Sequence, residues 1–316
     1  MKFSIVIPTF NKQQFLDRAL TSLENLDFSL SQYEVIVVDD GSTDNTRGIA
    51  EEHAGRFQHF KYIHKKNGGV ASARNVGILS TRGELLAFFA DDYVIPSDYC
   101  SEMAKLFEDP KVQVAKPALS TRGNLVEKAE LLLYNINMLH ALHDRGALPK
   151  RERLEPTLLP TEAVEFKNAT EASGAATIRR SVFERFGVFD EALQTGEDTE
   201  FGRRLAKGGI RPYLLPTIRV EVAFRNKLSK SLIRSFTYGK NLSLVNAAEG
   251  AGAEKADVFR TLKRVIAMFF YVSLICSYAP SRGDYLKLYP VIYLKICAYE
   301  IGRMCGRLLL KSRALT

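Results

Sequence analysis

Cysteine is scarce: four thiols, Cys100, Cys276, Cys297 and Cys305, are scattered over 316 residues with no CxxC or Cys/His spacing. That excludes a thiolate zinc site and reads as reduced core or tail residues in a cytosolic compartment. A charged leader is missing as well, since Met1 runs directly into a strand-like stretch ending at Pro8. The expectation is that there is no signal peptide and that the catalytic part stays inside the cell. Internal repeats and low-complexity tracts are absent. No apolar block reaches the ~20 residues of an ordinary membrane span; Val265 to Ala279 offers 15.

What is present is a globular composition, 46% hydrophobic and 25% charged, with a net charge of +8. The surplus is uneven. Residues 225–316 hold 16 basic and 5 acidic side chains, while residues 1–224 hold 28 and 31, so the body is −3 and the tail +11. A basic tail on a mildly acidic body suits a polyanionic partner, a membrane surface before a nucleic acid. Nucleic acid is excluded as the expected partner because the positive charge is interleaved with long apolar blocks instead of forming a polar stripe.

Apolar runs at Phe3 to Ile7, Glu34 to Val38, His59 to His64, Leu85 to Ala90 and Val112 to Lys116 alternate with helix-period stretches at 13–26, 44–57 and 70–80. This alternation predicts an α/β fold with a parallel sheet covered by helices. The first four runs each end in polar or glycine-rich clusters: Pro8-Thr9, Asp39-Asp40-Gly41-Ser42, Lys65 to Gly69, and Asp91-Asp92. Ligands of open α/β sheets collect at the carboxyl ends of strands, so the four clusters predict one site. Residues 119–170, with an amphipathic stretch from Leu125 to Leu142 and a Pro- and charge-rich connection from Pro149 to Pro160, read as a variable segment inside a catalytic domain spanning 1–224. Order resumes at Gly174 to Ile178, Phe183 to Phe189, a helix over Thr199 to Lys207, and strand pieces at Tyr213 to Leu215 and Val220 to Phe224.

Several constellations carry chemistry. Adjacent Asp39 and Asp40 at a buried strand tip should cost energy unless a ligand uses them, although Ser42 or Asp44 also serves as an ordinary helix cap. Gly68 and Gly69 open a helix of small residues whose first N–H groups would face an anion, unless the glycines make only a plain turn. Asp91-Asp92 after an apolar strand suits Mg²⁺ or Mn²⁺ shared with substrate phosphates. In Gly196-Glu197-Asp198 either acid complements a helix dipole or acts as a general base.

In this order the segments Ser4 to Asn11, Val37 to Ser42, Asn67 to Gly77, Ala90-Asp91-Asp92 with Pro96, Arg179-Arg180 with Gly187 to Glu191, and Gly196-Glu197-Asp198 resemble the family 2 glycosyltransferases. The resemblance implies a GT-A (Rossmann-like) mixed, mostly parallel sheet with a C-terminal helical appendage. It also implies inverting transfer of a sugar from a nucleoside-diphosphate sugar, most simply a UDP-sugar, to a hydroxyl of a saccharide or lipid-linked acceptor. Pro8, Thr9, Asp40, Gly69, Arg74 and Asp91 would hold the donor, with Asp40 at the base and Asp91 by the ribose. Asp92 would ligate the metal, and Asp198 would be the base with Glu197 as its substitute. Two departures mark this chain: Tyr93 stands where many relatives have a third acid, and no histidine occurs near 220–225, which implies a weaker metal site. A nucleotidyltransferase and an inactive nucleotide-sugar-binding scaffold are the alternative classes.

The tail, residues 225–316, carries apolar blocks at Val265 to Ala279 and Leu288 to Ile301, the second broken by Lys295 and Glu300. Packed helices, in-plane amphipathic anchors and a short transmembrane hairpin all fit. The charge and the aromatic content favour peripheral attachment to the inner face of the cell membrane.

Overall fold

The computed structural model describes residues 1–133, 163–165, 174–193, 195–222, 227–248 and 282–313. The Pro149 to Pro160 connection, the far end of the Leu125 to Leu142 stretch and the Val265 to Ala279 block lie outside them. The chain divides into two units. The first comprises residues 1–120 and 160–223, the second residues 121–159 and 224–316.

The first unit is built on a mixed sheet. Its strands are β1 (Phe3–Thr9), β2 (Tyr33–Asp39), β3 (Phe60–His64), β4 (Leu85–Phe88), β5 (Tyr93–Val94), β6 (Val114–Ser120), β7 (Val164–Glu165), β8 (Thr177–Arg179) and β9 (Tyr213–Val222). Their order is β3-β2-β1-β4-β8-β6-β9-β5, with β7 also on β9. The first four are parallel, β8 is antiparallel to both its neighbours, and β6 and β9 are parallel. β1 and β2 read FSIVIPT and YEVIVVD and are buried almost throughout. Such unbroken apolar runs suit parallel strands covered on both faces.

The helices of this unit are α1 (Gln13–Glu24), α2 (Thr46–Ala54), α3 (Val70–Ser80), α4 (Tyr99–Leu106), α5 (Arg180–Phe186) and α6 (Glu197–Lys207). Leu16, Ala19, Leu20 and Leu23 give α1 one buried stripe at helical spacing. On α3 the small residues serve close packing: a Cβ at Gly77 would lie 2.3 Å from Val6 Cγ1 on β1. The strand pieces expected at Tyr213 to Leu215 and Val220 to Phe224 are one strand, β9, as far as Val222; residues 223 and 224 lie outside the described residues. The polar interruption that split them in the sequence is a bulge of β9: Leu215 pairs with Pro117 and Arg219 with the next residue of β6, Ala118. Phe183 to Phe189 begins in α5 and ends in a turn at Gly187.

Chain order moves from β1 outward to β2 and β3, then returns to place β4 on the other side of β1. The carboxyl ends of β1 and β4 therefore flank a switch point, where open α/β sheets form their crevice.

The second unit is helical among the described residues: 125–133, α7 (Leu228–Ala248) and α8 (Arg282–Arg313). Leu288, Val291, Ile292 and Ile296 of α8 pack with Ala129, Leu125, Leu132 and Leu228. The amphipathic stretch beginning at Leu125, read from sequence as part of a catalytic-domain segment, thus contributes its apolar face to the helical unit. Lys295 and Glu300, the charges that interrupt the second apolar block, are buried in this unit. Lys295 Nζ lies 3.0 Å from Glu130 Oε1 and also donates to Ser231, whose hydroxyl gives Glu130 Oε1 a further bond at 2.7 Å. No helix among the described residues is long and apolar enough to cross a membrane.

Candidate active site

Four strand ends and two helix starts supply the site residues; hydrogen bonds join Thr9, Asp40, Gly69 and Asp91, and a separate bond joins Arg74 to Glu197. The amide of Asp40, just past β2, donates to the Thr9 carbonyl at the end of β1 (2.9 Å), and the Thr9 hydroxyl donates to Asp91 Oδ2 (2.9 Å) beyond β4. Pro8 immediately precedes Thr9 and pairs in register with Val38 of β2. Asp91 is buried, and Lys12 Nζ lies 2.9 Å from its Oδ1 and 3.7 Å from Asp92 Oδ2. Burial raises the Asp91 pKa, with Asp92 adding to the rise and Lys12 and Thr9 opposing it. Asp92 is the more accessible of the pair, with 19% of its side chain exposed against 4% for Asp91.

The two acids at the tip of β2 serve separate purposes. Asp39 Oδ1 accepts the Ser42 amide (2.8 Å), and its Oδ2 meets the Tyr62 hydroxyl (2.5 Å) and His64 Nδ1 (3.1 Å). Burial alone would raise its pKa, but these hydrogen bonds outweigh it and hold the carboxyl below its ordinary value. Asp40 Oδ1 accepts from Lys65 Nζ (2.7 Å) and the Gly68 amide (2.9 Å), and Oδ2 from the Gly69 amide (2.8 Å). This corrects two expectations. The paired carboxylates do not need a ligand to offset their repulsion, because the protein supplies six donors. The amides of Gly68 and Gly69, which lead into α3, are taken by Asp40 and not left for a ligand. Gly69, at φ +88°, turns the chain so that its amide reaches the carboxylate, a conformation that favours glycine. A carboxylate has about four acceptor directions, so three donors on Asp40 leave one on Oδ2.

Arg74, one turn into α3, is expected to touch the donor; here its Nη1 pairs with Glu197 Oε1 at 2.5 Å. Both side chains are nearly buried, 12% and 7% exposed. The guanidinium also lies over the Phe189 ring, 5.4 Å from its centroid, while its buried Nε finds no acceptor among the described residues. Asn75 fixes this wall, accepting from the Phe189 amide (3.0 Å) and donating to the Phe189 carbonyl (2.9 Å) and Glu191 Oε1 (2.8 Å). Burial, followed by the charge of Asp198, raises the Glu197 pKa, and Arg74 opposes the rise. Asp198, next along in the first turn of α6, accepts its neighbour Thr199 amide at 2.7 Å. The acids Glu197, Asp198 and Glu200 all lie in that first turn, where the helix dipole favours negative charge.

Sequence reasoning missed Lys12, Lys65, Tyr62, His64 and Asn75 as parts of the site. Lys65 carried a signal in its place in the polar cluster after β3, and Asn75 in its place in the Asn67 to Gly77 segment; for the others, pairing with a remote carboxylate leaves no local pattern. Tyr93, at the position of the absent third acid, is buried on β5 opposite Val222 of β9 and belongs to the sheet.

The donor set admits a divalent cation of one kind. Asp91 and Asp92 offer hard oxygens, and no group of three His, Cys, Asp or Glu among the described residues could hold a metal by itself. This suits an ion that keeps waters and is shared with a diphosphate, as Mg²⁺ usually is.

Comparison with known proteins agrees with this architecture. EpsJ of Bacillus subtilis, an uncharacterized glycosyltransferase, is 27% identical over 274 residues, 81% of this chain and 73% of EpsJ. Matches to several other curated relatives cover less than half of those proteins' length. Among solved structures, Staphylococcus aureus TarS 1–349 in complex with UDP-GlcNAc superposes with a TM-score of 0.56 at 17% identity, covering 99% of this chain and 92% of that one. The mannosyltransferase PcManGT of Pyrobaculum calidifontis, in complex with GDP-Man and Mn²⁺, gives a TM-score of 0.58 at 16% identity, covering 99% and 75%. The fold is thus that of GT-A glycosyltransferases. The model of glycosyl transferase family 2 matches residues 4–187, more than half of the sequence. The chain belongs to family 2 of the glycosyl transferases.

Proposed function

We propose that the protein is an inverting glycosyltransferase that moves a hexose-type sugar from a UDP-sugar to a hydroxyl of a saccharide or lipid-linked acceptor in envelope polysaccharide or glycan synthesis. The observation that carries this reading is the hydrogen-bonded chain Asp91–Thr9–Asp40–Gly69, which ties the ends of β1, β2 and β4 to the start of α3 at the switch point. Separately, the Arg74–Glu197 pair ties α3 to the first turn of α6.

Within that frame each group has a task. Asp40, held by Lys65 and two amides, accepts a base N–H on its remaining Oδ2 direction. Pro8 and Thr9 wall the nucleotide, and Asp91 faces the ribose. Asp92 would hold Mg²⁺ or Mn²⁺, which when bound would supply positive charge to offset that building on the departing nucleoside diphosphate. Lys12, beside both acids, adds positive charge to the same region. Asp198 removes the acceptor proton as the sugar carbon is attacked from the face opposite the leaving group, and no covalent enzyme intermediate is needed. Glu197, nearly buried and engaged by Arg74, is the less available base. An acceptor carried on lipid would place the enzyme at the inner face of the cell membrane.

The experiment is Asp198→Asn. Turnover of a panel of nucleotide sugars should fall by about 10²–10⁴-fold, the usual contribution of a positioned base, while donor affinity measured by calorimetry stays within a few-fold. Unchanged turnover would sink the assignment.

A further inference from the structure

Helix α8 presents its side chains in an unusual distribution. Lys295 and Glu300 point inward, 6% and 3% exposed, while their neighbours Leu294 and Ile301 are each 46% exposed. Leu286 at 71% and Leu308 at 50% continue the exposed set, and Pro290 is exposed between them. Positions 286, 290, 294, 301 and 308 recur on one side of a helix with 3.6 residues per turn, and at 1.5 Å per residue they span about 33 Å. Water-facing helices place apolar residues inward and charges outward. Here the chain buries two charges, each provided with partners, and leaves a continuous apolar ridge outside.

We propose that this ridge is the surface by which the protein lies in the plane of an anionic bilayer. The charge around it selects the occupant. Lys287 is exposed beside Leu286 and Arg307 is partly exposed beside Leu308, while Arg303 lies on the packed side of the helix, where Glu300 is turned in to it at 3.1 Å. No exposed acid occurs on α8 among its described side chains. Residues 225–316 carry a surplus of eleven positive charges, 16 against 5, so a second copy of this face would be repelled while an anionic headgroup layer is attracted. An apolar stripe bordered by Lys and Arg is the pattern of an interfacial helix. No helix among the described residues suits a span.

This inference rests on the membrane placement proposed above, and its test needs no turnover. Full-length protein is sedimented with phosphatidylcholine vesicles that contain or lack phosphatidylglycerol, at low and high salt. Binding is expected only with phosphatidylglycerol and should weaken as salt screens the headgroups. The variant Leu294→Glu/Ile301→Glu should partition about tenfold or more weaker, with circular dichroism and thermal midpoint unchanged, because the replaced side chains are exposed. Undiminished binding by the variant overturns the proposal. So does a fall in its thermal midpoint, which would show another part of the chain on the ridge, or a change from dimer to monomer by light scattering, which would show a second copy there. Protein that binds vesicles but transfers no sugar would sink the catalytic reading and leave this one standing.

Discussion

Arg74 and Glu197 show how a residue's surroundings fix its role. The pair is nearly buried, and removing one member of such a pair strands the other's charge. Arg74→Met should therefore destabilise the protein by about 3 kcal/mol, and Glu197→Gln by less, since a neutral amide still accepts from Arg74. Urea denaturation checks both, and the double variant Arg74→Met/Glu197→Gln should recover part of the loss. Additive losses would argue against a coupled pair.

Elsewhere the same logic makes acids stabilising. Glu34, buried at 5%, accepts from the Ser4 hydroxyl and the Arg82 amide, both at 2.6 Å. Burial would raise its pKa, but these bonds prevail and lower it, as they do for Asp39. Carboxylates with depressed folded pKa values stabilise the protein above their unfolded values, ~4, and that contribution disappears as pH falls through the folded values. Glu197 and Asp91, raised by burial, run the other way: the folded state takes up their protons first, which blunts the acid loss. The thermal midpoint of wild type should fall below about pH 4, and Glu34→Gln should flatten that limb while costing about 1–3 kcal/mol at neutral pH.

At the scale of the element, α3 is the piece on which the site turns. Its start holds Asp40 through two amides, its second turn carries Arg74 and Asn75, and its far end rests on β1 through Gly77. Gly77→Ala sets two effects against each other. Alanine favours a helix by about 1 kcal/mol over glycine, while a Cβ 2.3 Å from Val6 Cγ1 must push the helix off the strand, an overpacking cost of about 1–3 kcal/mol. Packing should win, with net destabilisation in urea and a donor Kd several-fold higher because the amides on Asp40 shift. Adding Val6→Ala should restore affinity.

Much of this element was legible beforehand. The small residues and paired glycines marked a helix start built for close approach, and the helix bounds 70–80 follow from its spacing. The identity of the anion at its tip was not, because Asp40 lies 29 residues before Gly69 and an intramolecular carboxylate leaves the same glycine pattern as a bound phosphate. The β9 strand was read as two pieces for a similar reason. Pro216 and Thr217 look like a loop locally and sit in a bulge that pairing with β6 skips, from Leu215 to Arg219, yet the strand continues through them.

For the whole molecule, the reading of a divalent ion carried by the donor makes metal removal informative. Chelation by EDTA should abolish transfer but leave the thermal midpoint in the absence of donor unchanged, since no protein-only cage among the described residues depends on the ion for folding. A midpoint lowered by EDTA and restored by Mn²⁺ would point to a resident structural metal instead.

By itself the sequence determined the parallel half of the sheet, the helices over it and the strand-end clusters. Each is written in local periodicity: buried strands need unbroken apolar runs, and surface helices need a stripe every three to four residues. It also set the charge asymmetry of the tail, which is a count. Only the tertiary structure decided which charges meet. The partners of Asp40, Asp91 and Glu197 lie 25 to 123 residues away, and α8 turned two charged residues inward and an apolar ridge outward. A side chain's chemistry is fixed by its type, but its pKa and its partners depend on desolvation and on neighbours that the backbone brings close, and no local pattern in the chain encodes that distance.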